Sequence, residues 1–541
     1  MRARMVSTST VPTYEVPLTD VPSVEHDPDL PELADVELDM KRLAELAAGP
    51  DAGLVDALRP LVTGYRAWID RNEASASDPA RHLGGYRTQV RGALADARRA
   101  ADRIDAGITV LAADPTARKA FGFANQAMYL QRVHTVVAAA RREQPDAVLA
   151  EAVAAADQPG NRRWRPFQLA FVLLNLPALA DPRHDERADD PAQAIADLLW
   201  FPTGGGKTEA YLGLTGFAIA VRRLQPIYGG LDATAGLAVL MRYTLRLLTI
   251  QQFERATTLI CAAETIRLAD QVTWGVTPFR IGLWVGGSVT PNTTEKAAEW
   301  LGQQRRGRSG LSYGQGSPNQ LTTCPWCGTA IEPGRDIVVD KVYQRTLVVC
   351  PEVACPFGDV TGFGVPADQR GLPVLLVDEE IYRHPPSLLL ATVDKFAQLP
   401  WKGETSALFG RVTRRCERHG YVTEDLARAE WEATSHKGKN GAPAARTVDV
   451  TALRPPDLII QDELHLISGP LGSLVGLYET AVDRLASWWE PVSGRWVRPK
   501  VIASTATVRR AHRQIDAARS RGGAGPPQCC GCPGRHRRPP Q

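Results

Sequence analysis

No stretch of the chain approaches the ~20 consecutive apolar residues that a membrane-spanning helix needs. Residues 1–50 carry no apolar core behind their early arginines, so no secretory signal is read and a cytoplasmic location is expected. An excess of one charge is also missing: 63 lysines and arginines face 60 aspartates and glutamates, leaving a net of +3. Any nucleic-acid binding must therefore come from a local basic surface rather than from bulk charge. What is present suits a globular protein: 44% apolar and 23% charged residues over 541 positions, room for about three or four domains of ~150 residues. The nine cysteines are Cys261, Cys324, Cys327, Cys350, Cys355, Cys416, Cys529, Cys530 and Cys532. In a reducing compartment, clustered pairs among them point to metal before disulfides.

The chain divides by texture. Residues 1–32, rich in Pro, Asp, Ser and Thr, read as a disordered arm. Residues 33–160 carry apolar positions three and four apart, as in RTQVRGALADARRAADRIDAGITVLA, and read as an all-α domain without a catalytic signature. From residue 161 to 516, short apolar runs alternate with helical stretches. The runs are 198–201, 237–243, 281–285, 388–393, 458–460 and 501–504. Continuous apolar runs of this kind are fully buried parallel strands, and their alternation with helices predicts a doubly wound α/β domain with its ligand at the carboxyl ends of the strands. Residues 291–372 interrupt the pattern as an inserted cysteine-bearing module, and 403–448 form a second polar insertion. Residues 517–541, rich in Gly, Pro, Arg and Cys, read as a disordered tail.

The most specific signal is a phosphate loop. Leu199-Trp200-Phe201 leads into Pro202-Thr203-Gly204-Gly205-Gly206-Lys207-Thr208 and then into a helical run. Thr203 and the three glycines Gly204, Gly205 and Gly206 let backbone N–H groups turn inward on phosphate oxygens, and the next helix points its positive end at them. Lys207 reaches the β- and γ-phosphates of ATP, and Thr208 offers its hydroxyl to Mg²⁺. Phe201 stands where the general P-loop rule has glycine. Hydrolysis also needs a carboxylate near the magnesium and a base for water. Two apolar runs end in Asp-Glu, one at Asp378-Glu379-Glu380 and one at Asp462-Glu463-Leu464-His465. The second is favoured, because Ser504-Thr505-Ala506-Thr507 follows it after about 40 residues, in the order of helicase motifs II and III. Asp462 then holds Mg²⁺ and Glu463 orients the attacking water. His465 couples the nucleotide to Ser504, Thr505 and Thr507. Asp378–Glu380 is left as a solvated strand end.

Nucleic-acid contacts are expected from Arg242, Thr244 and Arg246 after the second strand, from Gly286 and Gly287 after the third, and from Thr392 and Lys395 after a later one. Gln168, in Arg165-Pro166-Phe167-Gln168, is either an adenine reader or a surface glutamine. Cys324-x₂-Cys327 and Cys350-x₄-Cys355, separated by 22 residues, match a structural Zn²⁺ site with four thiolates. Cys416 and His419 form an isolated C-x₂-H that is not read as a site, and Cys529, Cys530 and Cys532 are expected to bind nothing specific.

Taken together, RPFQLAFVLLNL, WFPTGGGKTEAYLGL, MRYTLRLLTIQQFERA, LLATVDKFAQLPW, DLIIQDELHLISGPLGS and VIASTATVRRA resemble superfamily 2 (DEAD/DEAH-like) helicases. Within these they are similar to the DrmA-type helicase component of the bacterial DISARM anti-phage system. The resemblance covers roughly residues 85–514. It implies a RecA-like ATP-binding domain over 161–516, translocation on DNA, and companion proteins of a defence system. The helicase pattern stops after motif III, which sets the expectation of a first motor domain truncated before the second RecA-like domain and its arginine finger. Three functions follow as alternatives: an ATP-dependent helicase or translocase, a nucleotide- and DNA-binding module without effective turnover, and a P-loop ATPase that remodels protein, against which the motif order argues.

Overall fold

The computed structural model describes residues 29–190, 193–200, 206–243, 250–306, 316–358, 370–423, 434–439, 442–464 and 469–505. The disordered tail and most of the disordered arm expected from the sequence lie outside these residues, as do Thr203, Gly204, Gly205, Thr244, Arg246, His465 and Thr507.

Among the described residues, seven parallel strands form one sheet: β1 (Ala196–Trp200), β2 (Val239–Tyr243), β3 (Ile281–Trp284), β4 (Val374–Leu375), β5 (Leu388–Thr392), β6 (Leu458–Gln461) and β7 (Lys500–Thr505). Their spatial order is β1-β7-β6-β2-β5-β3-β4, with every neighbouring pair parallel. Every residue of β2, β3, β5 and β6 is buried, which is why these strands are unbroken apolar runs rather than alternating ones. Each of the six runs read from the sequence overlaps a strand of this sheet. The seventh strand, β4, is the short element before Asp378.

The helical region comprises α1 (Met40–Ala48), α2 (Asp51–Ser77), α3 (Arg87–Ala113), α4 (Pro115–Glu143) and α5 (Leu149–Ala156). Local chemistry sets their starts. Asp39 caps α1 by accepting from the Lys41 and Arg42 amides, and Asp114 caps α4 with Pro115 in its first turn. The helices that follow are α6 (Pro166–Ala180), α7 (Lys207–Leu224) and α8 (Ile250–Ala269). Thirteen of the fifteen residues of α6 are buried, because it lies between α3 and α7. A fully buried leucine contributes roughly 1.5–3 kcal/mol, and Leu169, Leu173, Leu176 and Leu179 are all of this kind. α4 packs on α1, α7 and α8 and buries residues around most of its circumference. One apolar core therefore runs from Leu33 in the helical region to Ile502 in β7. Among the described residues, no helix is long and apolar enough to cross a membrane.

Two buried ionic clusters join these parts. Arg103 of α3 donates from Nη1 and Nη2 to Asp197 of β1 at 2.6 and 2.8 Å, and Lys500 of β7 reaches the same carboxylate at 2.7 Å. Asp457, just before β6, receives Arg187, Arg222 and Arg454, each with a contact at 3.0 Å, and all four residues are buried. Burial alone would raise the Asp457 carboxyl, but the Arg454, Arg187 and Arg222 charges outweigh it and hold it well below the usual range. Burial likewise opposes, and Lys500 and Arg103 overcome it at, Asp197.

Removing one member of such a cluster strands the others. Asp457→Asn is expected to cost roughly 3–5 kcal/mol, read as a lower urea midpoint; an unchanged midpoint would show that the three arginines do not need the carboxylate. Because both carboxyls are depressed in the folded state, their stabilisation is complete above about pH 4 and is lost as pH falls further.

Candidate nucleotide site and cysteine centre

The carboxyl edge of the sheet assembles the first site. β1 points at the loop before α7, and Gly206 caps that helix at φ +91°, a conformation that disfavours any side chain. Lys207 and Glu209 in the first turn of α7 are buried. β6 delivers Asp462 and Glu463, and β7 delivers Ser504 and Thr505. The Ser504 hydroxyl donates to Asp462 Oδ1. The Glu463 amide donates to the same oxygen at 3.0 Å. Glu463 itself has φ +49°, in the left-handed region. A non-glycine residue held there stores of order 1–3 kcal/mol, a cost commonly found where a side chain must be aimed. Burial, with the Asp462 charge adding to it, pushes the Tyr211 and Tyr243 phenols well up, so both stay protonated beside that carboxylate.

A cavity of about 520 Å³ has Gly206, Lys207, Thr208, Glu209, Asp462 and Glu463 in its wall. Gln168 lies there too, but not as a surface residue: it is 3% exposed. Its Nε2 donates to the Gly206 carbonyl at 2.7 Å and its Oε1 accepts from the Arg165 amide at 2.8 Å. The amide thus ties the start of α6 to the end of the phosphate loop. Sequence reasoning missed the cavity's basic wall. Arg132 on α4, Arg163 and Arg165 before α6, and Arg255 on α8 all border it. Glu209 holds Arg255 and lies 3.7 Å from Arg132. Burial lowers Arg132, and the Glu209 charge opposes that. No short motif marks these arginines, since three different segments supply them. Four guanidiniums, a lysine and the amino end of α7 suit a polyphosphate, while Asp462 and Thr208 offer oxygens to a hard divalent cation.

Sheet order separates the two acidic runs. Asp462 is two strands from β1, whereas Asp378 follows β4 at the opposite edge, roughly 29 Å away at about 4.8 Å per strand. Asp378–Glu380 is not a solvated strand end, contrary to the expectation above. All three residues are buried in the first turn of the helix Asp378–Arg383. Asp378 accepts from Lys395 Nζ at 2.6 Å, and Glu380 accepts from the Thr346 amide at 2.8 Å. These carboxylates bind the inserted hairpin and the segment after β5 to the sheet; burial raises both Asp378 and Glu380.

Of the residues expected at nucleic acid, the described ones, Arg242, Gly286, Gly287, Thr392 and Lys395, share the carboxyl edge of β2, β3 and β5. Gly286 is half-buried and Gly287 exposed. Thr392 and Lys395 are buried, and Arg242 pairs with Glu479 at 2.5 Å. Lys395 is engaged by Asp378 and Arg242 by Glu479, so any phosphate contact by either requires exchange of partner.

The four cysteines of the insertion converge. Cys324, Cys327, Cys350 and Cys355 are buried with their sulfurs within 4.8 Å of one another; Cys327–Cys350 is 3.4 Å and Cys324–Cys355 is 4.0 Å. A tetrahedron of ~2.3 Å Zn–S bonds has edges of about 3.8 Å, which these separations bracket. The hairpin Ile337–Asp340/Arg345–Val348 lies between the two pairs. Burial pushes the Cys324 thiol well up, a penalty that a bound cation reverses by taking thiolates. The centre docks on the helical region, which the sequence did not reveal. His134 of α4 donates from Nδ1 to the Trp326 carbonyl at 2.9 Å and stacks on that indole at 3.4 Å. Burial holds the His134 ring down to about 4, so it is neutral near pH 7. Arg141 Nη1 donates to the Cys327 carbonyl at 2.9 Å, and its Nη2 meets Glu352 at 2.7 Å. Cys327→Ser is expected to reduce zinc content by about one ion per chain and to alter Trp326 fluorescence as the stack on His134 loosens. Unchanged zinc would rule out this cluster as a metal centre.

No protein-family model matches the chain. The chain is similar to the DISARM protein DrmA of Bacillus paralicheniformis, 36% identical over 516 residues, which are 94% of this chain and 42% of that relative. It therefore spans less than half the length of the curated relative it matches. Identity at this level across nearly the whole chain is homology, and over that span the protein is DrmA-like.

Proposed function

We propose that this chain contains the ATP-binding, RecA-like motor domain of a superfamily 2 type helicase or translocase that acts on DNA within DISARM anti-phage defence. The observation that carries the reading is convergence. Lys207 and Thr208 at the start of α7 and Asp462 and Glu463 after β6 meet at one cavity with an arginine wall, and Ser504 of β7 bonds to Asp462 behind it. In this reading Lys207 and the arginines hold the triphosphate. Thr208 and Asp462 hold Mg²⁺, which neutralises charge on the phosphates. Glu463 orients water and accepts its proton. The Ser504 hydroxyl on Asp462 gives the nucleotide a direct link to β7, and Asp462 itself follows β6, the neighbour of β2 on the side of the proposed DNA path. Membership in a defence system and companion proteins rest on the likeness to DrmA. The four-cysteine centre is structural, because four thiolates leave no open coordination position.

The test is ATP hydrolysis with and without single-stranded DNA, alongside binding of a fluorescent ATP analogue. Glu463→Gln should retain nucleotide binding and lose about 10²–10⁴-fold in turnover. Lys207→Ala should weaken binding itself. Binding and DNA affinity without turnover in the unaltered chain would favour the non-hydrolysing module. Failure of the unaltered chain to bind nucleotide would sink the proposal.

A further inference from the structure

A second cysteine–histidine cluster lies away from both sites. The strands Arg414–Cys416, Gly420–Val422, Ser435–His436 and Ala445–Asp449 form one antiparallel sheet in the second polar insertion. Cys416 is opposite Thr447 and His436 is opposite Ala445 on the shared strand. Thr447 and Ala445 are two apart, so Cys416 and His436 project from the same face. His419, in the turn after Cys416, completes the group. One ligand atom from each of Cys416, His419 and His436 lies within 4.8 Å of the other two. Cys416 Sγ is 3.5 Å from His419 Nδ1, and the two imidazole rings meet edge-on with centroids 4.7 Å apart.

Two further observations point to a metal. His419 Nε2 lies 3.2 Å from the Val342 carbonyl. That contact makes Nε2 the protonated nitrogen and turns the Nδ1 lone pair toward Cys416, the arrangement that orients metal-binding histidines. The turn also repeats the first cysteine knuckle. Cys416-Glu417-Arg418-His419-Gly420 has the two-residue spacing of Cys324-Pro325-Trp326-Cys327-Gly328, and the glycine after each second ligand has positive φ, +91° and +81°.

We propose that Cys416, His419 and His436 form a second zinc site, with water in the fourth position. One thiolate and two imidazoles select a borderline-soft ion such as Zn²⁺ over Mg²⁺ or Ca²⁺. The ion clips the strand Ser435–His436 to the Cys416 turn. Through Val342, at the tip of the inserted hairpin, it also joins the second insertion to the four-cysteine module.

The experiment is zinc content of the full chain by mass spectrometry after zinc-supplemented expression, with Co²⁺ titration of the chelator-stripped protein. About two zinc ions per chain are expected, falling by about one in Cys416→Ser and in His436→Ala, while His419→Cys keeps both. Cobalt should show a four-thiolate spectrum plus a second component with weaker thiolate charge transfer, and His436→Ala should abolish only the second. Zinc content unchanged in both variants overturns the proposal. If the variants do not fold, a cobalt titration of the unaltered chain that yields only the four-thiolate component overturns it equally.

Discussion

Asp457 is the point on which the rest of the structure turns. A carboxylate buried under three guanidiniums is stable only when every charge has its partner, because each desolvated ion costs several kcal/mol. The three arginines come from the segment before β1, from the last turn of α7, and from the approach to β6. Arg222 also donates to the carbonyls of Pro455 and Ala235. One side chain thus registers α7 against β6 at the amino edge of the sheet. The 18-residue helix is a rigid rod of about 27 Å. Fixing its far end fixes Lys207 and Thr208 at the opposite edge, opposite Asp462 and Glu463. The site needs that registry, since small displacements there are costly to chemistry.

The helical region is part of the same machine. Arg103 anchors α3 to β1 and to Lys500 of β7 through Asp197. α4 does more than pack. Arg132 borders the cavity at the start of α7, His134, two residues on, stacks on Trp326, and Arg141, about two turns further, grips the Cys327 knuckle. A single helix therefore touches both the proposed phosphate site and the cysteine centre. This is a physical reason for the inserted module to sit on the helical side of the sheet. Its second attachment, Glu380 to the Thr346 amide, ties the hairpin to the segment after β4.

Much of the architecture is legible in the chain itself. Buried parallel strands advertise themselves as unbroken apolar runs, and each of the six runs read that way overlaps a strand of the sheet. The turn into α7 is legible because few residue types tolerate the left-handed backbone of Gly206, at φ +91°. The cysteine cluster is legible because two pairs at short spacing bring four sulfurs together in the fold. Asp378–Glu380 was misread because a buried acidic turn and a solvated one have the same local sequence. The difference lies in Lys395 and Thr346, which are distant in sequence from the carboxylates they satisfy. The cavity's arginines and the His436 partner of Cys416 were missed for the same reason.

The sequence by itself determined the parallel sheet, the helix that follows the phosphate loop, and which four sulfurs belong together. Each depends on short-range pattern: apolar continuity, glycine and proline punctuation, and ligand spacing. Motif order favoured Asp462-Glu463, but only the tertiary structure brought that pair into one cavity with Lys207, buried Gln168 against Gly206, and turned Arg132 of the helical region to the same space. Those outcomes depend on strand order and helix docking. Both are set by long-range burial and by the pairing of buried charges such as Asp457 with Arg187, and no local window of residues encodes the partner of a buried charge.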